Sequence, residues 1–230
     1  MTNDGDVHHA ASAMRRGLVA LRRAGRQWLH GAASRMRGVL ALRADAREAS
    51  GRLAVPAGNA ILRDGTVVQV RAVRPDDTEK LRVAFERLSA RSVYRRFLHP
   101  VKALSPEVLR RITDLDFHDR VGLVMTVGVG AGERLVAEAR FVRDAPDSER
   151  AEFAIVVADD YQNRGAATLL LQELVAIARS RGIRELCAHV LEDNTDMLDV
   201  IRRSGLPSTQ SREDGVVRIV SRIGRTSPGR

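Results

Sequence analysis

The residues best suited to chemistry crowd into one stretch, Glu152 to Thr168. Ala151 to Ala158 is apolar apart from Glu152 and reads as a central strand covered on both faces, ended by Asp159-Asp160-Tyr161. Gln162-Asn163-Arg164-Gly165-Ala166-Ala167-Thr168 then opens a long helical pattern, with Leu170, Leu171, Leu174 and Ile177 on one stripe and Gly182 as its stop. A helix that begins on Gly165, Ala166 and Ala167 leaves unpaired backbone N–H groups with nothing bulky in front of them. Such a start binds a pyrophosphate through its donors and its dipole. Small residues are required because phosphate oxygens must approach the backbone closely. Read alone, the same residues serve equally well as tight packing at a helix start. No Lys-Ser/Thr pair follows, so the segment is neither a Walker A loop nor a dinucleotide fingerprint.

Other reactive side chains are sparse. Cys187 is the single cysteine, which excludes an intramolecular disulfide and a multi-cysteine zinc site. Its apolar surroundings, Leu186 to Leu191, point to an inert buried thiol. His189 in the same run reads first as a satisfied histidine and second as a base. Asp116, His118 and Asp119 bunch together, but one histidine among loop carboxylates reads as a solvated turn, and no metal is assigned.

The elements that must position these residues form a mixed α/β domain. Strands are expected at Val67–Val73, Val121–Val129, Leu135–Arg143, Ala151–Ala158, 185–191 and 216–222. Pro75-Asp76-Asp77 and Ser105-Pro106-Glu107 open helices, Ser92–Leu98 is a short turn or helix, and a last helix covers 195–204. Domain boundaries fall at 1–60 for an arginine-rich appendage and linker, 61–224 for the catalytic domain and 225–230 for a tail. In the appendage, Leu18, Leu21, Trp28, Leu29, Met36 and Leu40 share one helical stripe. The bland reading is a helix docked on its own domain or a partner; attachment to a membrane surface through residues 15–43 is the second.

Composition narrows the function class. The net charge of +9 would suit an anionic partner, but residues 1–55 hold ten arginines against Asp4, Asp6, Asp45 and Glu48, leaving the rest of the chain nearly balanced. With aromatics at 3%, stacking platforms for nucleic acid are scarce, and no nucleic-acid partner is expected. Arginines interrupt every apolar run near the N-terminus and no stretch approaches the length of a membrane span, so a cytoplasmic location is expected.

Gln162-x-x-Gly165-x-Ala167, between a strand and a long helix, resembles the acyl-CoA signature of the GNAT superfamily of N-acetyltransferases. The resemblance runs from about Leu62 to Arg222 and includes Arg71-x-x-Arg74-Pro75-Asp76-Asp77 and Leu191-x-x-Asn194-x-x-Met197-Leu198. Arg91-Ser92-x-Tyr94-x-Arg96-Phe97 and Ala151-Glu152-Phe153-Ala154 are most similar to the GNAT domain of bacterial protein lysine acetyltransferases. It implies a GNAT fold, a mixed and mostly antiparallel sheet flanked by helices, with acetyl-CoA as co-substrate and an amine, on a protein or a small molecule, as acceptor. The pantetheine arm would lie along Val156, Val157 and Ala158, the pyrophosphate on the N–H groups of Arg164 to Thr168, and Asn194 near the pantetheine unless it serves only as an N-cap.

The same resemblance points to Glu152, ten residues before Gln162, as the general base that an amine acceptor requires, since a lysine ammonium near pKa 10.4 is almost wholly protonated at pH 7. Phe153, Ile155 and Val157 should desolvate that carboxylate and raise its pKa; an edge glutamate balancing Arg140 or Arg150 is the structural alternative. A backbone N–H near Val157 would meet charge on the thioester oxygen. Many relatives carry a tyrosine acid seven residues after the asparagine, where this chain has Ile201. A non-catalytic acyl-CoA sensor is therefore the third reading.

Overall fold

The computed structural model describes residues 58–224. The arginine-rich stripe and the tail lie outside the described residues. Among the described residues eight strands form one sheet: β1 (Gly58–Ile61), β2 (Val67–Ala72), β3 (Arg120–Val127), β4 (Arg134–Arg143), β5 (Arg150–Val157), β6 (Glu185–Leu191), β7 (Ser208–Glu213) and β8 (Val216–Arg222). Their spatial order is β1-β2-β3-β4-β5-β6-β8-β7. Every pair is antiparallel except β5 with β6. Among the described residues no helix is long and apolar enough to cross a membrane.

Among the described residues five α-helices cover the sheet: α1 (Thr78–Glu86), α2 (Ala90–Phe97), α3 (Pro106–Thr113), α4 (Ala166–Ser180) and α5 (Thr195–Arg203), and three 3-10 turns accompany them, one of which, Pro75–Asp77, leads into α1. Ser89 and Ser105 cap α2 and α3 by accepting the amides of Ser92 and Val108. The apolar stripe of α4, with Leu170 and Leu174 fully buried, packs on the face that carries Phe141, Phe153 and Ile219. On the opposite face Leu81 of α1 and Leu109 of α3 meet Val124 and Leu135. Alternation along the strands sends neighbouring residues to opposite layers.

One boundary is corrected, one alternative is resolved and one strand is added. The residues around Gly58 and Asn59 belong to the sheet, since Gly58 pairs with Val70, so the linker ends earlier than its composition suggests. Ser92–Leu98 is settled as helix, with Leu98 closing it in the left-handed region at φ 57°. β7 is an additional strand whose residues, Ser208 to Glu213, are all exposed, so no apolar alternation marks it.

Candidate active site

Among the described residues, the sheet opens at its one parallel pair. β5 and β6 are in register over just Arg150↔Glu185, Ala151↔Leu186 and Glu152↔Cys187, whereas β5 stays paired with β4 as far as Val157. Beyond Glu152, one side of β5 therefore has no strand partner. The Ala158 amide donates to the Val136 carbonyl at 2.8 Å, and alternation then turns the amides and carbonyls of Ile155 and Val157 toward the opening. An extended amide-bearing chain could pair there as an extra strand.

The helix start lies at the end of the same strand. No side chain caps α4; its N-cap is Gly165 at φ 93°, a conformation that glycine adopts without strain. The first amides of α4 thus keep their donor capacity. Arg63, from the β1–β2 turn, donates its amide to the Arg164 carbonyl at 3.0 Å, and its side chain covers Gly165. The Arg164 guanidinium pairs with Asp64 at 2.6 Å and lies 4.9 Å from the centre of the Tyr161 ring.

All the predicted cofactor residues except Ala158 and Arg164 line one cleft of about 300 Å³. Ala158 spends its amide on Val136, and Arg164 turns its side chain to Asp64 and Tyr161. Sequence reasoning missed Ile155, Arg63, Arg95 and Arg96, which also line the cleft. Ile155 was accessible from strand alternation; the arginines come from distant segments and carry no local signal. Asn194 caps α5, its side chain accepting the Met197 amide at 3.4 Å, and it also lines the cleft.

Helix α2 ties the two walls of the opening together. On the β5 side, Asp159 accepts the Ser89 amide at 2.9 Å and the Ser92 hydroxyl at 2.8 Å. Burial of Asp159 pushes its pKa upward, but the Ser89 and Ser92 donors outweigh it and hold the carboxyl below the usual range. The Gln162 side chain donates to Val157 O and to Ser92 Oγ, both at 3.1 Å. On the β6 side, Arg95 donates to the Asp193 carbonyl at 2.8 Å.

Glu152 sits at the apex, at the last paired step of β5 with β6. Its Oε1 lies 3.4 Å from His189 Nδ1, and both side chains keep about 30% exposure (31% and 28%). The expected apolar enclosure is absent for a geometric reason. Phe153, Ile155 and Val157 pack with the α4 layer, while alternation puts Glu152 on the opposite face. The alternative partners are engaged elsewhere, Arg140 with Glu138 and Arg150 with Glu185. Burial disfavours the charged form of Arg96, and the nearby carboxylates of Glu138 and Glu152 act in the opposite sense.

The remaining candidates have structural explanations. Ile201 is in the core at 2% exposure, so α5 offers no hydroxyl at that position. Cys187 is buried, and burial pushes its thiol pKa up, away from reactivity. Asp116 accepts the amides of His118, Asp119 and Arg120, which makes that cluster a turn.

Comparison with known proteins gives a consistent picture. The Acetyltransferase (GNAT) family matches residues 73–206. Acetyltransferase Pat of Mycolicibacterium smegmatis is 35% identical over 157 residues, 68% of this chain and 46% of Pat. This chain thus spans less than half the length of that relative. Acetyltransferase PA5475 of Pseudomonas aeruginosa is 29% identical over 66% of this chain and 82% of its own length. The crystal structure of the GNAT domain of S. lividans PAT superposes with a TM-score of 0.67 at 38% identity, covering 72% of this chain and 96% of that domain.

Proposed function

This chain belongs to the acetyltransferase (GNAT) family, and we propose that it transfers the acetyl group of acetyl-CoA to an amine, with a protein lysine as the acceptor. The observation that carries this reading is the free edge of β5, which ends at an uncapped, small-residue helix start within one cleft. The edge supplies strand-like partners for a pantetheine arm, and the amides of Gly165 to Thr168 supply donors for the pyrophosphate. Support for a lysine acceptor comes from the similarity to Pat and to the PAT domain and from Glu152 at the apex.

In the proposed reaction Glu152 takes a proton from the acceptor ammonium, directly or through one water, and the freed nitrogen attacks the thioester carbon. The amides of Ile155 and Val157 face the opening, where they can donate to the oxygen that gains charge. As the C–S bond breaks CoA leaves as its thiolate, and the surplus proton on the attacking nitrogen passes to solvent, leaving the neutral amide. At position 201, where many relatives carry a tyrosine acid, this chain has a buried isoleucine, and a thiolate can depart without an acid from that position. That burial also favours a second reading, acyl-CoA binding without transfer.

The two readings part in one experiment. The protein is incubated with acetyl-labelled acetyl-CoA and a cell lysate, and the label is followed into protein and into small molecules. Label on protein lysine supports the proposal. Label confined to small amines contradicts the lysine assignment, and bound but untransferred acetyl-CoA supports the sensor.

A further inference from the structure

Arg96 of α2 plays no part in the reaction proposed above, yet its side chain is only 6% exposed. It ends against two β4 side chains buried to the same degree. Glu138 holds one carboxylate oxygen to Arg140 and the other 3.5 Å from Arg96 Nη2. Buried charges persist when they are balanced. Here two guanidiniums share one carboxylate, which leaves one positive charge in excess beneath α2.

The fourth charge on that face is Glu152. In the register of β4 with β5, Glu138 stands opposite Val156, Arg140 opposite Ala154 and Val142 opposite Glu152. Paired residues share a face, so Glu138, Arg140 and Glu152 all lie on the side away from α4, whose layer takes Phe153 and Ile155. Glu152 is the diagonal neighbour of Arg140, a spacing of about 7–8 Å that long side chains bridge. Burial disfavours the charged form of Arg96, and the carboxylates of Glu138 and Glu152 oppose that effect.

We propose that Arg96 is a positioning residue for Glu152: with Arg140 and Glu138 it forms a charge quartet that is neutral only while Glu152 is ionised, which keeps this carboxylate ready to take the acceptor's proton. The proposal rests on the reading of Glu152 as the base. Protonating Glu152 would strand the excess positive charge in a layer of low dielectric, where it costs more than in water.

The other groups around Glu152 do not supply this balance. On β6, burial pushes the Cys187 thiol up and keeps it uncharged, and His189 carries charge only when protonated. Arg218 of β8 is exposed, so water and salt screen it. Arg150 pairs with Glu185, Asp144 lies beyond the end of β4, and Arg95 is held by the Asp193 carbonyl and by Asp196.

The test is a carbon-13 NMR titration of the full chain labelled at its glutamate carboxyls, with the Glu152 signal assigned by its loss in Glu152→Gln. It needs neither cofactor nor acceptor. Arg96→Gln should move the Glu152 midpoint up by about one pH unit and Glu138→Gln should move it down by about one. Arg96→Lys, which keeps the charge, should stay near the parent. Arg140→Gln carries the same expected sign as Arg96→Gln and replaces it if that variant does not fold. The acid limb of turnover on a lysine substrate should move in the same order. A purely structural role for Arg96 predicts no opposition of sign, so shifts that are absent or share one direction overturn the quartet. Opposed midpoints with an acid limb that stays in place would uphold the quartet and overturn Glu152 as the base.

Discussion

Glu152 Oε1 and His189 Nδ1 stand 3.4 Å apart where β5 and β6 begin to separate. The pair crosses the parallel step of the sheet, and Arg218 lies opposite His189 in the register of β6 with β8. The carboxylate is thus paired with a partially exposed imidazole, and the Arg96 guanidinium is near enough for its charge to interact with it.

Glu152→Gln should lower turnover by about 10² to 10⁴-fold, the usual worth of a general base, with acetyl-CoA affinity nearly unchanged. His189→Asn keeps a donor near the Nδ1 position and should cost less. The double variant should fall no further than Glu152→Gln alone, because groups acting as one unit are not additive. Steady-state kinetics on a labelled lysine substrate would show this, and full additivity would assign the two residues independent roles.

Ala167→Glu puts bulk and negative charge into the first turn of α4, which lines the cleft. Binding of CoA by calorimetry should be abolished, while the thermal midpoint stays close to that of the parent, since Ala167 is not fully buried. Undiminished CoA affinity in the folded variant would move the phosphate site elsewhere.

Acid stability should depend on Glu133. The Lys80 ammonium, against the opposing effect of burial, and then the Arg71 guanidinium hold its carboxyl down from 4.5 to about 2. A carboxylate with a depressed folded-state pKa stabilises the fold fully above its unfolded value, and this contribution is lost as pH falls from about 4.5 towards about 2. Arg71 itself is buried at 3% exposure and also pairs with Asp77. Glu133→Gln should therefore cost about 1–3 kcal/mol at neutral pH and flatten the decline of the melting temperature over that acid window. Parallel melting curves against pH for variant and parent would contradict this role.

Local segments were the legible part of the sequence. The β5–α4 stretch could be read because its apolar run, small residues and glycine stop are contiguous, and the start of α3 because Ser105-Pro106 is a local capping signal. β7 escaped because it is held at the edge by backbone pairing with β8 and buries nothing. The bridge made by α2 escaped for a different reason: Ser92 meets Asp159 across 67 residues, and no periodicity encodes a contact of that span. The short parallel register that opens the cleft is likewise a property of the whole sheet. The surroundings of Glu152 were misjudged by treating sequence neighbours as spatial ones, although alternation already assigns Phe153 and Ile155 to the other layer.

The central claim, that the open edge of β5 and the start of α4 hold acetyl-CoA together, is tested most directly by residue-resolved amide hydrogen exchange with and without acetyl-CoA. The account predicts new protection at Ile155, Val157 and Ala166 to Thr168, with the exposed edge strand Ser208–Glu213 unchanged. Binding that leaves the Ile155 and Val157 amides exchanging at their free-protein rates would contradict it.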